Sequence, residues 1–485
     1  MIIYGVSANE HDASLAVVRG REILFASAAE RYSRVKNDPH LNADLLADAM
    51  RYGPPDLVVW YEKPHLKRAR KAWAGQWSDV GRTDGARYVH RFLPGVPVRY
   101  VGHHESHAAA GYFTSPFDDA VILVADAIGE WETLSAWTGQ GPILRRLWSQ
   151  NYPDSLGLLY SAFTQRIGLT PNEEEYILMG MAASGEPVYR DLIWQDFVER
   201  FDPPRLKLRE NPHRGVRWWR PDLDRRADLA ASIQAVTEDV LLGITRWLAR
   251  TTGRRRLVLA GGVAMNCLAN TRIAQQGLFD QIWIMPNPGD GGSSIGAALA
   301  WSRRHARWRH PYLGHAIDRP FDQAGALAAL SAGDVIGVAT GRAEFGPRAL
   351  GNRSLFTDPR DPAARDKVNA LKRREPFRPF APMVLAEHAH EHFDLPVPTS
   401  PYMQFVAPVR HPEAFPAIVH ADGTARVQTL RPADNPAIHG LLADFHARTG
   451  CPMLLNTSLN VKGEPLVNSV ADADRFTARS GIRVY

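Results

Sequence analysis

Cysteine and long apolar runs are scarce in this sequence. Its 485 residues include 2 cysteines, Cys267 and Cys451, which excludes a disulfide framework and a cysteine-rich zinc module. Each is predicted to be a small buried apolar residue. No segment approaches the run of about eighteen apolar residues that a membrane-spanning helix needs. The N-terminus, MIIYGVSANEHDAS, has neither a basic leader region nor a cleavage site, so a cytoplasmic protein without membrane attachment is predicted.

The composition is that of a folded globular protein. Hydrophobic residues make up 45% of the chain and charged residues 22%, which excludes a disordered or fibrous protein. A chain of 485 residues is too long for a single hydrophobic core, so two or three domains are expected.

The net charge of +5 and the pI near 9.2 raise the question of a nucleic-acid partner. Two stretches combine basic residues with tryptophan, HLKRARKAWAGQW at 65–77 and HRGVRWWRPDLDRR at 213–226. Such side chains either stack on a nucleic-acid strand or cover an apolar patch with their long stems. The second interpretation is favoured, and nucleic acid remains the alternative partner.

Two strand-turn-strand patterns lie far apart in the chain. One spans 2–34, with the apolar runs IIYGVS, SLAVV and EILFASAAE, and the other spans 119–140, with AVILVAD and TLSAWTG. Each has acidic or imidazole side chains in its first turn, which makes the pair a weak internal repeat. This pattern is typical of an actin-like α/β fold, in which duplicated halves present their first hairpins to a nucleotide.

The next segments predict a helix at 228–250, ended by Gly253, and then two buried strands. Each strand runs into a glycine-rich turn, GGVAMN at 261–266 or PGDGGSS at 288–294. Glycines there let backbone N–H groups approach a phosphate or ribose closely. The residues expected to contact a nucleotide moiety are Asp12, Gly261, Gly262, Asn266 and Gly291.

A rise in polar, proline and glycine content around 306–333 marks a domain boundary. We place a first domain at 1–315 and a second at 316–485.

The densest cationic region combines GRAEFGPRALGNRS at 341–354 with KRREPFRPFAP at 372–382. Glycines, prolines and aromatic residues such as Phe345 and Phe380 separate the cations. Guanidinium groups bind phosphate or carboxylate through two parallel hydrogen bonds, and fixed turns hold them in place. A walled oxyanion pocket is therefore favoured over an exposed basic surface. Its cations are Arg342, Arg348, Arg353, Lys372, Arg373, Arg374 and Arg378. The polar residues Asn456, Thr457 and Ser458 follow an apolar strand and are expected to hydrogen-bond the same anion.

His103 and His107 lie four residues apart in VGHHESHAAAGYF, where the alanines predict a helix. Both imidazoles would then lie on one face and can share a metal ion. Asp126 follows an apolar strand and Asp290 lies in the second glycine turn, which adds two carboxylates. Such a set suits Fe²⁺ and, less selectively, Zn²⁺ or Mn²⁺. A hydrogen-bonded histidine pair is the alternative, and His104 is the competing ligand, ranked second.

His11 and Asp12 lie in the first hairpin turn, which an actin-like fold directs at ligand phosphates or at a transferred group. An imidazole there can take a proton from an attacking hydroxyl, because its unperturbed pKa is close to neutral pH. A histidine that caps the turn is the alternative, and the residues alone do not decide between them.

Four of these motifs occur together: HDAS at 11–14, EFGPRALGNRS at 344–354, FRPFAP at 377–382 and NTSLN at 456–460. In this combination and order the chain resembles the O-carbamoyltransferases of natural-product biosynthesis, such as the tobramycin and nodulation-factor enzymes, over nearly its whole length. The resemblance implies an actin-like (Kae1-like) duplicated domain followed by a smaller YrdC-like α/β domain.

The resemblance also implies an activity, in which carbamoyl phosphate and ATP, with Mg²⁺, form carbamoyl-adenylate for transfer to a hydroxylated acceptor. The two histidines and two aspartates match the family's metal site, which favours His103 over His104. His11 would lie beside the reacting group, and Lys36 matches a basic residue that contacts the activated intermediate. The residues expected to bind carbamoyl phosphate and ATP are Arg348, Arg353, Lys372, Arg378, Asn456 and Ser458.

Three alternatives remain open from the sequence. A tRNA threonylcarbamoyladenosine-type transferase shares the fold and the HxxxH pattern, but a single chain with both EFGPRALG and FRPFAP fits O-carbamoylation better. The acceptor is either a small natural product, sugar or nucleoside, which is favoured, or a hydroxymethylated base in DNA. A non-catalytic nucleotide-sensing module is the third alternative. The oligomeric state is open, with a homodimer as one option.

Overall fold

The chain folds into two compact units. The first comprises Met1–Ala29 and Asn37–Trp308, and the second comprises Glu30–Lys36 and Arg309–Tyr485. The structure, a computed structural model, describes residues 1–77, 80, 84–375, 378 and 380–485, so Pro376, Phe377 and Pro379 of the predicted anion pocket lie outside the described residues.

The boundary at 308/309 lies near the expected one at 315/316, but the segment 30–36 was expected in the first domain. This segment, with the short helix α1 (Glu30–Ser33), belongs to the second unit. The reason is long-range hydrogen bonding, since the Arg34 guanidinium donates to the carbonyls of Pro465 at 2.8 Å and Leu466 at 2.5 Å.

The first unit contains two mixed sheets with the same plan. Their strands are β1 (Ile2–Ser7), β2 (Ser14–Arg19), β3 (Glu22–Ala28), β4 (Leu57–Trp60) and β5 (Val98–Tyr100), then β6 (Asp119–Ala125), β7 (Glu132–Gln140), β8 (Ile143–Asn151), β11 (Arg256–Ala260) and β12 (Gln281–Ile284), with a separate hairpin of β9 (Val198–Asp202) and β10 (Arg205–Leu208). The orders are β3-β2-β1-β4-β5 and β12-β11-β6-β7-β8. In each sheet the first strand has antiparallel neighbours on one side and parallel neighbours on the other. The predicted strands of both sequence patterns are confirmed.

Helices of the first unit pack around these sheets. They are α2 (Ala43–Met50), α3 (Pro64–Trp73), α4 (Gly85–Val89), α5 (His103–Thr114), α6 (Leu156–Arg166), α7 (Glu175–Ala182), α8 (Arg190–Phe197), α9 (Arg226–Thr252), α10 (Cys267–Gln275) and α11 (Ser293–Ser302). The predicted helix at 228–250 is confirmed as α9, which ends at Gly253 in the left-handed conformation. Among the described residues, no helix has both the length and the apolar character needed to cross a membrane.

Helix α11 packs closely against both β1 and α5. A Cβ added to Gly5 of β1 would lie 1.8 Å from the Ser294 carbonyl oxygen, and one added to Gly296 would lie 1.9 Å from the Ser106 carbonyl oxygen. Both positions therefore require glycine. This packing brings the turn that precedes α11 close to the first turn of α5.

The second unit is built on a sheet in the order β14-β16-β21-β17-β20. The strands of this unit are β13 (Tyr312–Ile317), β14 (Ile336–Ala339), β15 (Gly341–Glu344), β16 (Arg353–Thr357), β17 (Ala381–Leu385), β18 (Val406–Pro408), β19 (Thr424–Arg426), β20 (Gln428–Leu430) and β21 (Met453–Ser458). Strand β13 pairs with β15, and β18 pairs with β19, in separate two-stranded sheets. The further helices of this unit are α12 (Gln323–Ser331), α13 (Ala364–Leu371), α14 (Ala389–His392), α15 (Pro436–Thr449) and α16 (Val470–Ser480). The core lies between the sheet and α15, where Phe356, Leu454 and Phe445 are fully buried. Val484 pairs with Gly337 of β14.

Candidate active site

Two histidines and two aspartates meet in the first unit. The Nε2 atoms of His103 and His107 lie 3.0 Å apart. Asp126 Oδ2 lies 3.0 Å from His103 Nε2 and 3.5 Å from His107 Nε2, while Asp290 Oδ1 lies 3.3 and 3.2 Å from the same two nitrogens. One ligand atom from each of the four residues falls within 4.8 Å of the others, and all four side chains are buried. The sequence expectation that these residues lie together is thus matched by their positions.

The cluster is assembled from α5, from the turn that follows β6 and from the turn that precedes α11. His103 is the first residue of α5 and His107 lies one turn later. Asp126 directly follows β6, and the Gly262 N–H donates to its Oδ1 at 3.1 Å. The Ser293 hydroxyl lies 3.3 Å from His107 Nδ1. Backbone and side-chain partners therefore fix the orientation of one carboxylate and of one imidazole.

The electrostatics of the cluster suit a cation. Burial by itself lowers the pKa of His103, but the negative charges of Asp290 and Asp126 outweigh burial and raise it well above its ordinary value. Burial raises the pKa of Asp126, but hydrogen bonds to both histidines outweigh it and hold that pKa well below its ordinary value. The buried carboxylates thus draw positive charge into the cluster. A divalent cation fits this donor set of two nitrogens and two oxygens.

His104, the competing ligand, lies outside the cluster. Its Nδ1 is 2.7 Å from the Ser135 hydroxyl, and burial together with the charge of His103 lowers its pKa well below the ordinary value. A neutral histidine that is hydrogen-bonded within the protein accounts for this residue.

His11 lies at the edge of the cluster. Its Nδ1 is 3.0 Å from Asp12 Oδ2, and its Nε2 is 3.7 Å from Asp290 Oδ2. Burial lowers the pKa of His11, but the hydrogen bond to Asp12 and the charge of Asp290 outweigh it and raise the pKa to about 10. The side chain is 47% exposed, so it remains accessible to a ligand.

The two glycine turns support the cluster. Gly261 and Gly262 follow β11, and Gly291 lies in the turn before α11, where its carbonyl accepts a hydrogen bond from the Ser14 hydroxyl at 2.6 Å. Asn266, expected to contact a nucleotide, makes hydrogen bonds within the first unit. Its amide oxygen caps α10 by accepting from the Ala269 N–H at 3.0 Å, and its amide nitrogen donates to the Gln234 side chain at 2.9 Å.

Lys372 is the centre of the anion-binding candidate in the second unit. Lys372 is 3% exposed, and its ammonium group donates to the carbonyl and the hydroxyl of Ser458, the hydroxyl at 3.1 Å, and to the carbonyl and amide oxygens of Asn460, both at 2.8 Å. Burial, with the nearby charges of Arg374 and Arg378, lowers the pKa of Lys372 well below its ordinary value. A buried cation beside neutral acceptors provides a favourable place for an anion.

The other expected ligands Arg348, Arg378 and Asn456 belong to the same unit as Lys372. Arg348 and Arg378 are half-buried, and Arg378 Nη1 lies 3.4 Å from Glu375 Oε2. The buried Asn456 amide donates to the Ala349 carbonyl at 3.1 Å, so it holds the loop that carries Arg348. Lys36 is exposed and belongs to the second unit, not to the first unit with His11.

Arg353 corrects the predicted anion pocket. Its guanidinium is fully buried, and all of its N–H groups donate to backbone carbonyls. The acceptors are the carbonyls of His315, Thr340, Gly341, Asn352 and Asn468 at 2.7 to 3.3 Å. Burial lowers the pKa of Arg353 to about 10. The side chain therefore ties together strands and loops and has no donor left for phosphate.

Replacing Arg353 with alanine is expected to destabilise the fold rather than to remove a substrate contact. The change would leave several buried carbonyls unsatisfied, each costing about 1–3 kcal/mol, so the free energy of unfolding should fall by about 3 kcal/mol or more. Urea denaturation followed by circular dichroism measures this. A variant with the wild-type unfolding midpoint but without carbamoyl-phosphate binding would restore Arg353 as a ligand.

Three cations of the basic stretch at 65–77 are paired within the protein. Lys67 is buried and donates to both carboxylate oxygens of Glu62 at 2.7 and 2.8 Å. Its ammonium group also forms an ion pair with Glu10 at 2.7 Å. Lys71 donates to Glu10 at 3.0 Å, and Arg70 donates to the Glu130 carbonyl at 3.3 Å. These three cations are satisfied within the protein, so they neither cover an apolar patch nor offer a surface to nucleic acid.

Sequence reasoning missed three residues of the second unit. Asn460 and Glu344 stand inside motifs that the sequence singled out, and Glu344 accepts from the backbone N–H groups of Leu350, Asn352 and Arg353 at 2.7 to 3.2 Å. Arg31 is 3% exposed and donates to the Gly346 carbonyl at 2.9 Å. Within the described part of the chain its buried Nη1 has no hydrogen-bond partner. Its sequence signal is weak, because one arginine in ERYSRVK resembles any surface cation.

Two family models match this chain. The model of the carbamoyltransferase N-terminus matches residues 77–299, and the model of the carbamoyltransferase C-terminus matches residues 327–485. The two matches together cover most of the chain and define a carbamoyl-transferring enzyme.

Individual relatives narrow this class. An uncharacterized protein of Synechocystis is 37% identical over 99% of this chain and 94% of its own length. Nodulation protein U of Sinorhizobium fredii is 36% identical over 96% of this chain and 94% of its own length. The 3'-hydroxymethylcephem-O-carbamoyltransferase of Amycolatopsis lactamdurans is 28% identical over 97% of this chain and 95% of its own length. The chain belongs to the O-carbamoyltransferase family, as its motifs predicted.

Proposed function

We propose that this enzyme uses carbamoyl phosphate and ATP to convert a hydroxyl group of a small acceptor into an O-carbamate. The observation that carries the proposal is the buried cluster of two histidines and two aspartates with His11 at its edge. The shared order of the two sheets in the first unit supports an actin-like duplicated domain, and we assign a YrdC-like role to the second unit.

The first half-reaction is assigned to the second unit. Water converts carbamoyl phosphate to carbamate and phosphate, and a carbamate oxygen then attacks the α-phosphorus of ATP, accompanied by Mg²⁺, with pyrophosphate leaving. Lys372, Arg348 and Arg378 neutralise the anionic substrates, while Ser458 and Asn456 contribute hydrogen bonds. Lys36 contacts the resulting adenylate. Because carbamate and its adenylate hydrolyse readily, the chemistry benefits from exclusion of bulk water.

The second half-reaction is assigned to the first unit. His103, His107, Asp126 and Asp290 would hold Fe²⁺, or Zn²⁺ or Mn²⁺ in its place. When bound, the ion supplies Lewis acidity that polarises the carbamoyl carbonyl.

His11 and Asp12 act on the acceptor. The Asp12 hydrogen bond and the Asp290 charge raise the pKa of His11; a cation held by Asp290 would offset the second of these and lower that pKa, and a neutral Nε2 would then accept the proton of the attacking hydroxyl. Asp12 holds the imidazole through Nδ1 at 3.0 Å. The hydroxyl oxygen forms a bond to the carbamoyl carbon, the bond from that carbon to the adenylate oxygen breaks, and AMP leaves. The glycine turns with Gly261, Gly262 and Gly291 lie beside the nucleotide moiety in this assignment.

A product assay tests the proposal. The enzyme is incubated with ATP, carbamoyl phosphate and a panel of hydroxylated small molecules or hydroxymethylated DNA, and products are analysed by mass spectrometry. We expect a small acceptor to gain one carbamoyl group with equimolar AMP. Formation of threonylcarbamoyl-tRNA, or absence of any AMP and pyrophosphate, would contradict the proposal.

The acceptor class can also be tested through salt. A small neutral acceptor should give a transfer rate that is nearly independent of salt, whereas duplex DNA should show a log–log affinity slope of about −0.9 per contacted phosphate. Arg68, Arg217 and Arg220 are exposed, so their combined replacement with glutamate should leave transfer nearly unchanged. Loss of transfer with intact adenylate formation in that variant would favour nucleic acid.

A further inference from the structure

The loop between β6 and β7 carries a second buried carboxylate close to the metal ligand Asp126. Glu130 is 1% exposed. Its Oε1 and Oε2 accept from the His103 backbone N–H at 3.1 and 3.0 Å, and Oε1 also accepts from the Lys63 N–H at 2.7 Å. Glu130 thus connects two segments of the first unit at the point where α5 begins.

The start of α5 needs such a partner. The first N–H groups of a helix have no acceptor within the helix, and Gly102 at the N-cap has no side chain to supply one. A carboxylate is favoured at this end by the helix dipole. Glu130 supplies it from a distant part of the sequence, so the position of the first turn of α5 depends on this contact.

The two metal-site histidines are held in different ways. A metal-binding histidine usually donates its other ring N–H to a protein group, which fixes the ring. His107 has such a neighbour, the Ser293 hydroxyl at 3.3 Å from Nδ1. His103 has none within the described residues, since its buried Nδ1 lacks a hydrogen-bond partner.

Packing and the backbone hold His103 instead. A Cβ added to Gly129 would lie 3.1 Å from Cγ and Cδ2 of the imidazole, so the glycine backbone lies against one part of the ring. The Tyr61 ring centroid is 5.2 Å away. With no hydrogen bond at Nδ1, the direction of Nε2 is set by the position of the His103 backbone, which Glu130 anchors.

We infer that Glu130 is a positioning residue of the metal centre, which orients His103 through its backbone N–H in place of a hydrogen bond to its ring. This inference rests on the proposed metal centre. Arg70 completes the support by donating to the Glu130 carbonyl at 3.3 Å, so α3 holds the loop from the other side.

The test is metal affinity of the full-length protein. Glu130→Gln keeps the shape of the side chain but removes its negative charge, and its NH₂ group cannot accept from the His103 N–H, which lies within 3.1 Å of both carboxylate oxygens. After chelation, Co²⁺ and Zn²⁺ are titrated by calorimetry, and the visible absorption of bound Co²⁺ is recorded. We expect affinity to fall roughly 10- to 100-fold, as for other partners of metal ligands, and the Co²⁺ spectrum to change.

Glu132→Gln is the matched control, because Glu132, the first residue of β7, lies two positions from Glu130 but pairs with Arg146. It should retain the wild-type affinity and spectrum. If Glu130→Gln does not fold, Gly129→Ala is the second test of how the His103 ring is oriented. The added Cβ would displace that ring, so metal binding should also weaken. A folded Glu130→Gln with wild-type affinity and spectrum overturns the inference. Wild-type protein that binds neither ion overturns the metal centre itself, and the inference with it.

Discussion

Replacing His103 and His107 together with alanine is expected to remove bound metal and to stop carbamoyl transfer, while adenylate formation continues. The separation follows from assigning the half-reactions to different units. Loss of one preorganised electrostatic contact typically costs about 2.7–4 kcal/mol, or roughly 10²–10³-fold in rate, so loss of a whole metal site should leave no measurable product. Elemental analysis measures the metal, and pyrophosphate release in the presence of carbamoyl phosphate and ATP measures adenylate formation.

His104→Ala is the control for this double variant. His104 is the histidine between the two and is equally buried, but it contacts Ser135 and not the carboxylates. It should keep the wild-type metal content even if its unfolding midpoint falls. An unchanged metal content in the double variant would contradict the site assignment, and a simultaneous loss of pyrophosphate release would contradict the separation of the half-reactions.

Local sequence patterns predicted the strands, the helices and the histidine cluster well. Apolar runs ended by turn residues identify β1 and β6, and the spacing of His103 and His107 places both on one helical face. Asp126 and Asp290 could be added because each follows a strand or its turn. The strands and the shared helix face could be predicted because that information lies within about ten residues of each side chain, whereas the meeting of Asp290 with the histidines depends on the fold of the first unit.

Contacts over long sequence distances could not be predicted in the same way. The segment 30–36 joins the second unit because Arg34 donates to the carbonyl of Leu466, which lies 432 positions later in the chain. Likewise, the sequence does not show that Glu10 lies beside Lys67 and neutralises its charge. A charge pattern alone does not reveal which partner neutralises it.

Arg353 and Lys372 illustrate the same limit within the anion cluster. Both are buried cations in motifs rich in arginine, and the sequence assigned them the same role. The N–H groups of Arg353 all have backbone carbonyl acceptors, whereas Lys372 donates to two backbone carbonyls and also to the side chains of Ser458 and Asn460. The second arrangement places a buried cation beside side-chain groups that can also hydrogen-bond a substrate.

Binding of an anion beside Lys372 is expected to be coupled to proton uptake. Burial and the neighbouring arginines lower the pKa of Lys372, so the free protein loses this proton at a lower pH than an ordinary lysine does. An anion favours the charged form and raises that pKa. Protons should therefore be taken up on binding, and affinity should fall as the pH rises through the pKa of the complex. Calorimetric titration with inorganic phosphate in buffers of different ionisation enthalpy measures the uptake.

Lys372→Met should abolish that proton uptake and lower carbamoyl-phosphate turnover roughly 10²–10³-fold, corresponding to about 2.7–4 kcal/mol for the loss of one preorganised contact. Metal content should stay at the wild-type level, because the metal ligands belong to the other unit. Lys367→Met is the matched control, since Lys367 lies on the preceding helix α13 and pairs with Asp361 at the surface. The control should retain both uptake and turnover. Wild-type turnover in a folded Lys372→Met variant would place the anion elsewhere, whereas phosphate binding without proton uptake in the wild type would show that Lys372 keeps its charge before the anion arrives.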